Sequence, residues 1–300
     1  MSEPAISAQH VIISVNPFAG AKSDEDVIRQ TAKAVEKHGF IVETLTDLEL
    51  IQSRTASLLA QDKLRTVIAA GGDGTVALLA NLLPDTVPLT ILPLGTENLL
   101  AKYYGLSAEP TEVAKRITQG KAVRVDSGLA NGKRFLLMAS CGFDADVVTR
   151  LHQQRSGHIS HSSWAKPIWK SIRKYRYPEL RVFVDDHPTP IVARWVFTFN
   201  FPCYAMGLPI APLADPMDET LDLVTFRAGN LVNGLIYLSG VLLRRHRGWR
   251  DTNFAKFRRL RIESNEEVPF QIDGDPGGQL PLEIIVQPSS FTLLLPAEKV

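Results

Sequence analysis

Gly71-Gly72-Asp73-Gly74-Thr75 lies between an apolar run at 66–70 and a helical pattern at 76–83. Glycines let backbone approach an anion closely, and N–H groups at a helix start favour negative charge there. Asp73 inside that loop would repel a phosphate unless a cation stands between them, so the segment implies phosphate with Mg²⁺ or a water-held proton relay. The spacing matches neither the P-loop nor the dinucleotide fingerprint. Two more segments close apolar runs in the same region: Asn16-Pro17-Phe18-Ala19-Gly20, followed by Lys22, and Pro93-Leu94-Gly95-Thr96-Glu97-Asn98. Each alone is ordinary turn chemistry. Three such loops at the carboxyl ends of parallel strands would converge on one crevice. Late in the chain, Asp273-Gly274-Asp275 reads as a hairpin turn between strands at 268–272 and 282–286, and a turn can also present an acid.

The elements that must position these residues fall into two classes. Residues 1–125 alternate: strands at 11–15, 40–45, 66–70 and 89–93, and helices at 27–38, 54–61, 76–83 and from a Thr96 cap to Gly105. Continuous apolar strands between helices predict a parallel sheet covered on both faces, an α/β domain. After about 123 strands follow one another, at 123–129, 135–140, 180–184, 191–200, 221–227, 257–262, 268–272, 283–287 and 291–295, with residues 126–290 as the second domain. That pattern predicts an antiparallel β-sandwich with helical excursions at 147–177 and 232–243. A cleft between two such domains is the expected place for a ligand.

The chain has 300 residues, 45% apolar and 22% charged, which excludes disorder, collagen and coiled coil. Cys141 and Cys203 cannot staple a chain of this size and are expected to be reduced thiols. The first ten residues lack a signal-peptide pattern, and 231–243 is too short to span a bilayer, so a soluble cytoplasmic protein is expected. Residues 147–177 hold seven Lys or Arg and no acid; 244–261 hold eight and one acid, Asp251. Such segregation points to an anionic partner, unless both stretches are simply solvated. Within the first, Trp164, Ile168, Trp169, Ile172 and Tyr175 interleave with Lys166, Lys170, Arg173, Lys174 and Arg176. A basic, aromatic amphipathic helix suits an anionic membrane surface, although the aromatics could equally pack on the sandwich. No nucleic-acid reading module is visible.

These motifs, in this order and spacing, resemble the diacylglycerol kinase catalytic family, which includes bacterial lipid kinases and the sphingosine and ceramide kinases. Val125-Asp126-Ser127-Gly128, Cys141-Gly142-Phe143-Asp144-Ala145 and the segment 211–218 add to the likeness. The resemblance implies ATP in the cleft, Mg²⁺, a lipid hydroxyl as acceptor, peripheral membrane placement, and a final strand at 291–300 returning to the first domain. It implies a nucleotide cradle of Asn16, Gly20, Lys22, Thr46, Gly71, Gly72, Asp73, Gly74, Thr75, Thr96 and Asn98. By the same resemblance Asp275 is the base with Asp273 beside it, and Asp73 a further catalytic group. Asp73, Asp126, Asp215, Asp218 and Thr220 are the metal set it implies. A homodimer stays open.

The chain departs from the family at Ala77 and Leu78, where Asn-Glu is usual, at Leu99 in place of an acid, and at Asp275 in place of Glu. NAD kinases share the glycine-rich loop, but their Asn-Glu pair is approached here only by the reversed Glu97-Asn98. Two alternatives therefore stand beside a lipid kinase: an NAD kinase, and a non-catalytic protein that binds nucleotide or lipid.

Overall fold

The computed structural model describes residues 9–15, 22–153, 175–202 and 204–299, with backbone alone at 22, 23 and 206. The chain divides into two compact units, Met1–Val125 with Ser290–Val300, and Asp126–Ser289.

The first unit alternates β1 (His10–Val15), α1 (Lys22–Glu36), β2 (Ile41–Leu45), α2 (Leu48–Leu59), β3 (Leu64–Gly71), α3 (Asp73–Leu82), β4 (Pro88–Pro93), α4 (Leu99–Tyr104) and α5 (Pro110–Gln119). The strands pair in parallel in the order β2-β1-β3-β4. Their inner residues, Val11, Ile13, Ile68, Ala70 and Leu92, share one buried cluster with Val113 and Ile117 of α5. Asp47 caps α2 by accepting the Leu50 N–H at 2.8 Å. Helix α5 has no counterpart among the helices expected from sequence. It starts where the Glu109 carboxylate accepts the Thr111 and Glu112 N–H groups and Pro110 opens the first turn.

The second unit contains the later part of β5 (Lys121–Ala130), then β6 (Lys133–Phe135), β7 (Met138–Cys141), α6 (Phe143–Gln153), β8 (Leu180–Val184), β9 (Ile191–Ala193), β10 (Trp195–Phe199), β11 (Leu221–Phe226), α7 (Leu231–Leu242), β12 (Thr252–Phe257), β13 (Arg259–Glu263), β14 (Pro269–Ile272), β15 (Asp275–Gln279) and the first part of β16 (Leu282–Leu295). One antiparallel sheet runs β12-β11-β10-β7-β14-β15; in the other, β16 pairs with β13, β13 with β8 and β8 with β9. Phe135, Val196, Leu223, Leu260, Phe270 and Ile284 belong to the buried core between them. The α/β and β-sandwich classes are both observed, and Thr292 and Leu293 of β16 pair with β4 in the first unit.

Several expected strands are corrected, each for a local reason. The run 135–140 breaks because the Leu136 and Leu137 N–H groups donate to the Asp273 carboxylate rather than to a ladder. The run 191–200 breaks at Arg194, and β9 and β10 join different sheets. A second switch, at Arg258, carries the chain from β12 into β13; its N–H goes to Asp185 Oδ1 at 2.9 Å. The two expected strands at 283–295 are one, β16. The partner of β14 across the Asp273-Gly274 turn is β15, which the sequence reading missed. Its composition, Asp-Pro-Gly-Gly-Gln, hides it, and Gly277 is required because a Cβ there would enter the Phe270 ring.

Helix α6 covers the start of the expected 147–177 helix; Trp164, Ile168, Trp169 and Ile172, with Lys166, Lys170, Arg173 and Lys174, lie outside the described residues. Tyr175 is not helical and packs with Phe143 and Tyr177. Cys141 is a buried free thiol whose pKa is pushed upward by burial. Cys203 lies outside the described residues.

Candidate active site

From β1 the chain moves to β2 on one side and then to β3 on the other, so the sheet order reverses direction between β1 and β3. Ligands of open parallel sheets bind outside the carboxyl ends of strands at such a point. The loop after β3 holds Gly71, Gly72, Asp73, Gly74 and Thr75, and Asn16 and Gly20 follow β1 but lie outside the described residues, as does the Lys22 side chain. Thr46 is exposed after β2, and Thr96 is exposed in the loop after β4. The described loops after β2, β3 and β4 follow the carboxyl ends of parallel strands and so sit on one edge of the first unit's sheet.

Glycine is enforced by the contact between two of these loops. A Cβ on Gly95 would overlap the Gly72 backbone, coming within 2.9 Å of Gly72 N, and one on Gly71 would overlap Thr75 Oγ1. The Leu94 N–H donates to Gly71 O at 3.1 Å. Gly74 faces open space, with nothing within 4 Å of a Cβ placed there. Asn98 closes its own loop, accepting the Gly95 N–H at 3.0 Å and donating to Gly95 O at 2.6 Å. Its left-handed φ of 51° suits asparagine.

Asp73 accepts the N–H groups of Leu99 at 2.9 Å and Leu100 at 3.0 Å, so its carboxylate caps α4 from another loop. Helix α4 therefore starts after Asn98 rather than at the expected Thr96 cap, and Asn98 makes no side-chain cap bond. Burial raises the Asp73 pKa, against the lowering effect of those amides. The residue that sequence expects at the phosphates thus ties the loops after β3 and β4 together.

In the second unit the two turn acids have different surroundings. The Asp273 carboxylate accepts three backbone N–H groups, Leu136 at 2.7 Å, Leu137 at 2.8 Å and Met138 at 3.0 Å. Asp275 is 60% exposed and its Oδ1 lies 3.1 Å from His152 Nε2. His152 Nδ1 lies 3.2 Å from the Val148 carbonyl, so both ring nitrogens face acceptor oxygens. His152 was not anticipated, because the pairing joins α6 to a turn more than a hundred residues later. Beneath the turn, Gln271 accepts the Gly274 N–H at 2.8 Å and donates to Ser140 Oγ at 2.8 Å. Asp144 completes this network with Ser140, Tyr204 and Gln271; burial raises its pKa against those hydrogen bonds.

The remaining implied metal residues are engaged with protein. Asp126 is buried and accepts the Ser289 N–H at 2.6 Å and the Glu219 N–H at 2.8 Å. Asp215 accepts the Met217 N–H at 3.0 Å. Asp218 and Thr220 are brought together, with Thr220 Oγ1 donating to Asp218 Oδ1 at 2.6 Å, but Lys256 joins them and reaches Asp222 at 3.2 Å as well. Burial opposes the Asp218 charge, and the Lys256 and Thr220 bonds outweigh it, holding its pKa below the usual carboxylate range. A lysine ammonium supplies the cation here. No group of three His, Cys, Asp or Glu placed to hold a metal occurs among the described residues.

Comparison with known proteins agrees with the α/β and β-sandwich fold. Residues 10–130 match the diacylglycerol kinase catalytic domain family, and residues 138–295 match the YegS C-terminal NAD kinase beta sandwich-like domain family. A Cronobacter sakazakii protein named "Probable lipid kinase YegS-like" is 33% identical over 93% of this chain and 94% of its own. A Bacillus subtilis diacylglycerol kinase is 23% identical over 96% of each chain. The crystal structure of a Bacillus anthracis diacylglycerol kinase superposes with a TM-score of 0.67 at 20% identity, covering 97% of this chain and 98% of that one.

Proposed function

The chain belongs to the diacylglycerol kinase family of lipid kinases, and on that premise we propose that it transfers the γ-phosphate of ATP to the hydroxyl of a diacylglycerol or a closely related lipid. The observation that carries the reading is the glycine-to-glycine contact of the loops after β3 and β4, next to the sheet's switch point, with Gly74 open beside it. Phosphoryl transfer needs a positioned triphosphate, neutralised charge and a base for the attacking hydroxyl. Backbone N–H groups of Gly72 and Gly74, with Thr75, Thr46, Thr96, Asn16, Gly20 and Lys22, are the proposed phosphate cradle. Asp73 and Asn98 fix the shape of that cradle.

Asp275 is the proposed base: it is accessible and pairs with the His152 side chain alone among the described residues, whereas Asp273 spends its carboxylate on three amides. The lipid hydroxyl gives its proton to Asp275 as its oxygen bonds to the γ-phosphorus, and the bond to the β-phosphate oxygen breaks to release ADP. Asp73 would hold Mg²⁺ bound with ATP, directly or through water, and the ion would supply screening of the phosphate charge. Asp126, Asp215 and Asp218 act as structural acids in this reading.

Incubation with γ-labelled ATP, a dispersed total lipid extract and NAD tests it. Label is expected in an organic-phase lipid. Label in NADP would make the protein an NAD kinase, and label in no product would make it a binding protein.

A further inference from the structure

Helix α7 presents solvent with the side chains a helix normally buries. Val232, Leu235, Ile236, Leu238, Leu242 and Leu243 are all exposed, four of them by 59% or more. At 100° per residue they share one side, interrupted only by Ser239. The opposite side is committed to the second unit. Tyr237 packs on Phe226 at 4.5 Å and accepts the Ala228 N–H at 3.0 Å, and a Cβ on Gly240 would enter the Trp249 ring. The helix cannot roll to hide its outer face without breaking those contacts. No charge occurs from 231 to 243, and Arg244, Arg245, Arg247 and Arg250 then follow, all exposed. An aliphatic face of this extent marks an interaction surface.

We propose that α7 and its arginine run form the membrane-docking surface, the aliphatic side chains entering the acyl boundary of an anionic bilayer and the guanidinium groups meeting lipid phosphates. The inference rests on the lipid-kinase reading for its purpose, since a diacylglycerol acceptor resides in the bilayer. Its geometry is that of a helix lying in the interface. Twelve residues make about 18 Å, short of a bilayer span of about 30 Å. No helix among the described residues is long and apolar enough to cross. Charge complementarity selects the occupant. A second copy of this face could cover the aliphatic side chains, but 231–250 contains no carboxylate to answer four arginines. The contact proposed here lies on α7, whereas sequence pointed to the 147–177 stretch, most of which lies outside the described residues.

Flotation of the full chain with vesicles of phosphatidylcholine, with and without 30% phosphatidylglycerol, tests the proposal. Leu235→Ser with Leu242→Ser should weaken binding to anionic vesicles roughly 100-fold at any salt, because the loss is apolar burial. Arg244→Gln with Arg245→Gln should weaken it about 30-fold at low salt, a difference largely erased at high salt. All four positions are exposed, so melting temperatures should match the parent. Phosphorylation of a short-chain, water-soluble diacylglycerol should be unchanged in every variant. Parent-like flotation by both double variants overturns the proposal. So does a parent dimer that the leucine changes convert to monomer while flotation persists. A chain that floats as expected but labels no short-chain acceptor instead overturns the kinase reading and leaves the docking surface standing.

Discussion

Asp273 and Asp275 sit two residues apart in one turn, and their isosteric amides should fail in opposite ways. In Asp273→Asn one carboxylate oxygen becomes an NH₂ group. The remaining oxygen can keep Leu137 and Met138, both bound to Oδ1, but the NH₂ then faces the Leu136 N–H at 2.7 Å. One charge-assisted bond, about 1.5–3 kcal/mol, is lost and the other two weaken. The site is half-buried, which places the total near the low end, about 2 kcal/mol. For a domain of this size that is a fall in melting temperature of about 4–8 °C. Asp275→Asn removes one exposed pair with His152, worth at most about 1 kcal/mol, so melting should move by no more than a few degrees. Turnover per folded molecule should fall at least about 100-fold, the usual contribution of a general base. Asp275→Glu should keep or raise activity, since the family's acid is one methylene longer. The assay pairs thermal melts with kcat on a soluble short-chain acceptor at saturating ATP. Normal turnover in Asp275→Asn would remove the base from this turn, and an unchanged melt in Asp273→Asn would refute the three-amide account.

Gly95→Ala should cost about 1–3 kcal/mol or more in thermal or urea unfolding, because its Cβ meets backbone that cannot yield. Gly74→Ala has open space, so its stability should hold or rise, while ATP affinity measured by calorimetry falls about tenfold where a phosphate must approach. Lys256→Met leaves Asp218 and Asp222 without their shared cation; it should lower the melting temperature, and millimolar Mg²⁺ should restore part of that loss. The parent melt should not respond to EDTA. Burial raises the pKa of Asp144, so the folded state binds a proton that the unfolded state has released. Its contribution is complete below about pH 4, the unfolded value, and is lost as pH rises through the folded pKa. Asp144→Asn should flatten that part of the stability–pH curve, and a curve identical to the parent's would remove Asp144 as its source.

The local signals in the sequence were strong where one stretch of chain determines its own state. Strand β3 and the loop at 71–75 were legible because a continuous apolar run must be buried on both faces and glycines then permit a sharp entry into α3. The α/β-then-sandwich division followed from the change in strand spacing near 125. Tertiary structure decided what depended on partners far along the chain. Asp73 reads as a phosphate-site acid, yet only the fold shows it capping α4 across 26 residues. Asp273 and Asp275 look alike in sequence; β7 claims the first with three amides, and α6 brings His152 to the second. Strand β15 was invisible because two glycines carry no pattern, and Phe270 filling their missing side chains is a cross-strand fact. For α7 the sequence showed only an apolar stretch. Which half of it is buried depends on Tyr237 and Gly240 finding Phe226 and Trp249, and that choice leaves the leucines facing outward.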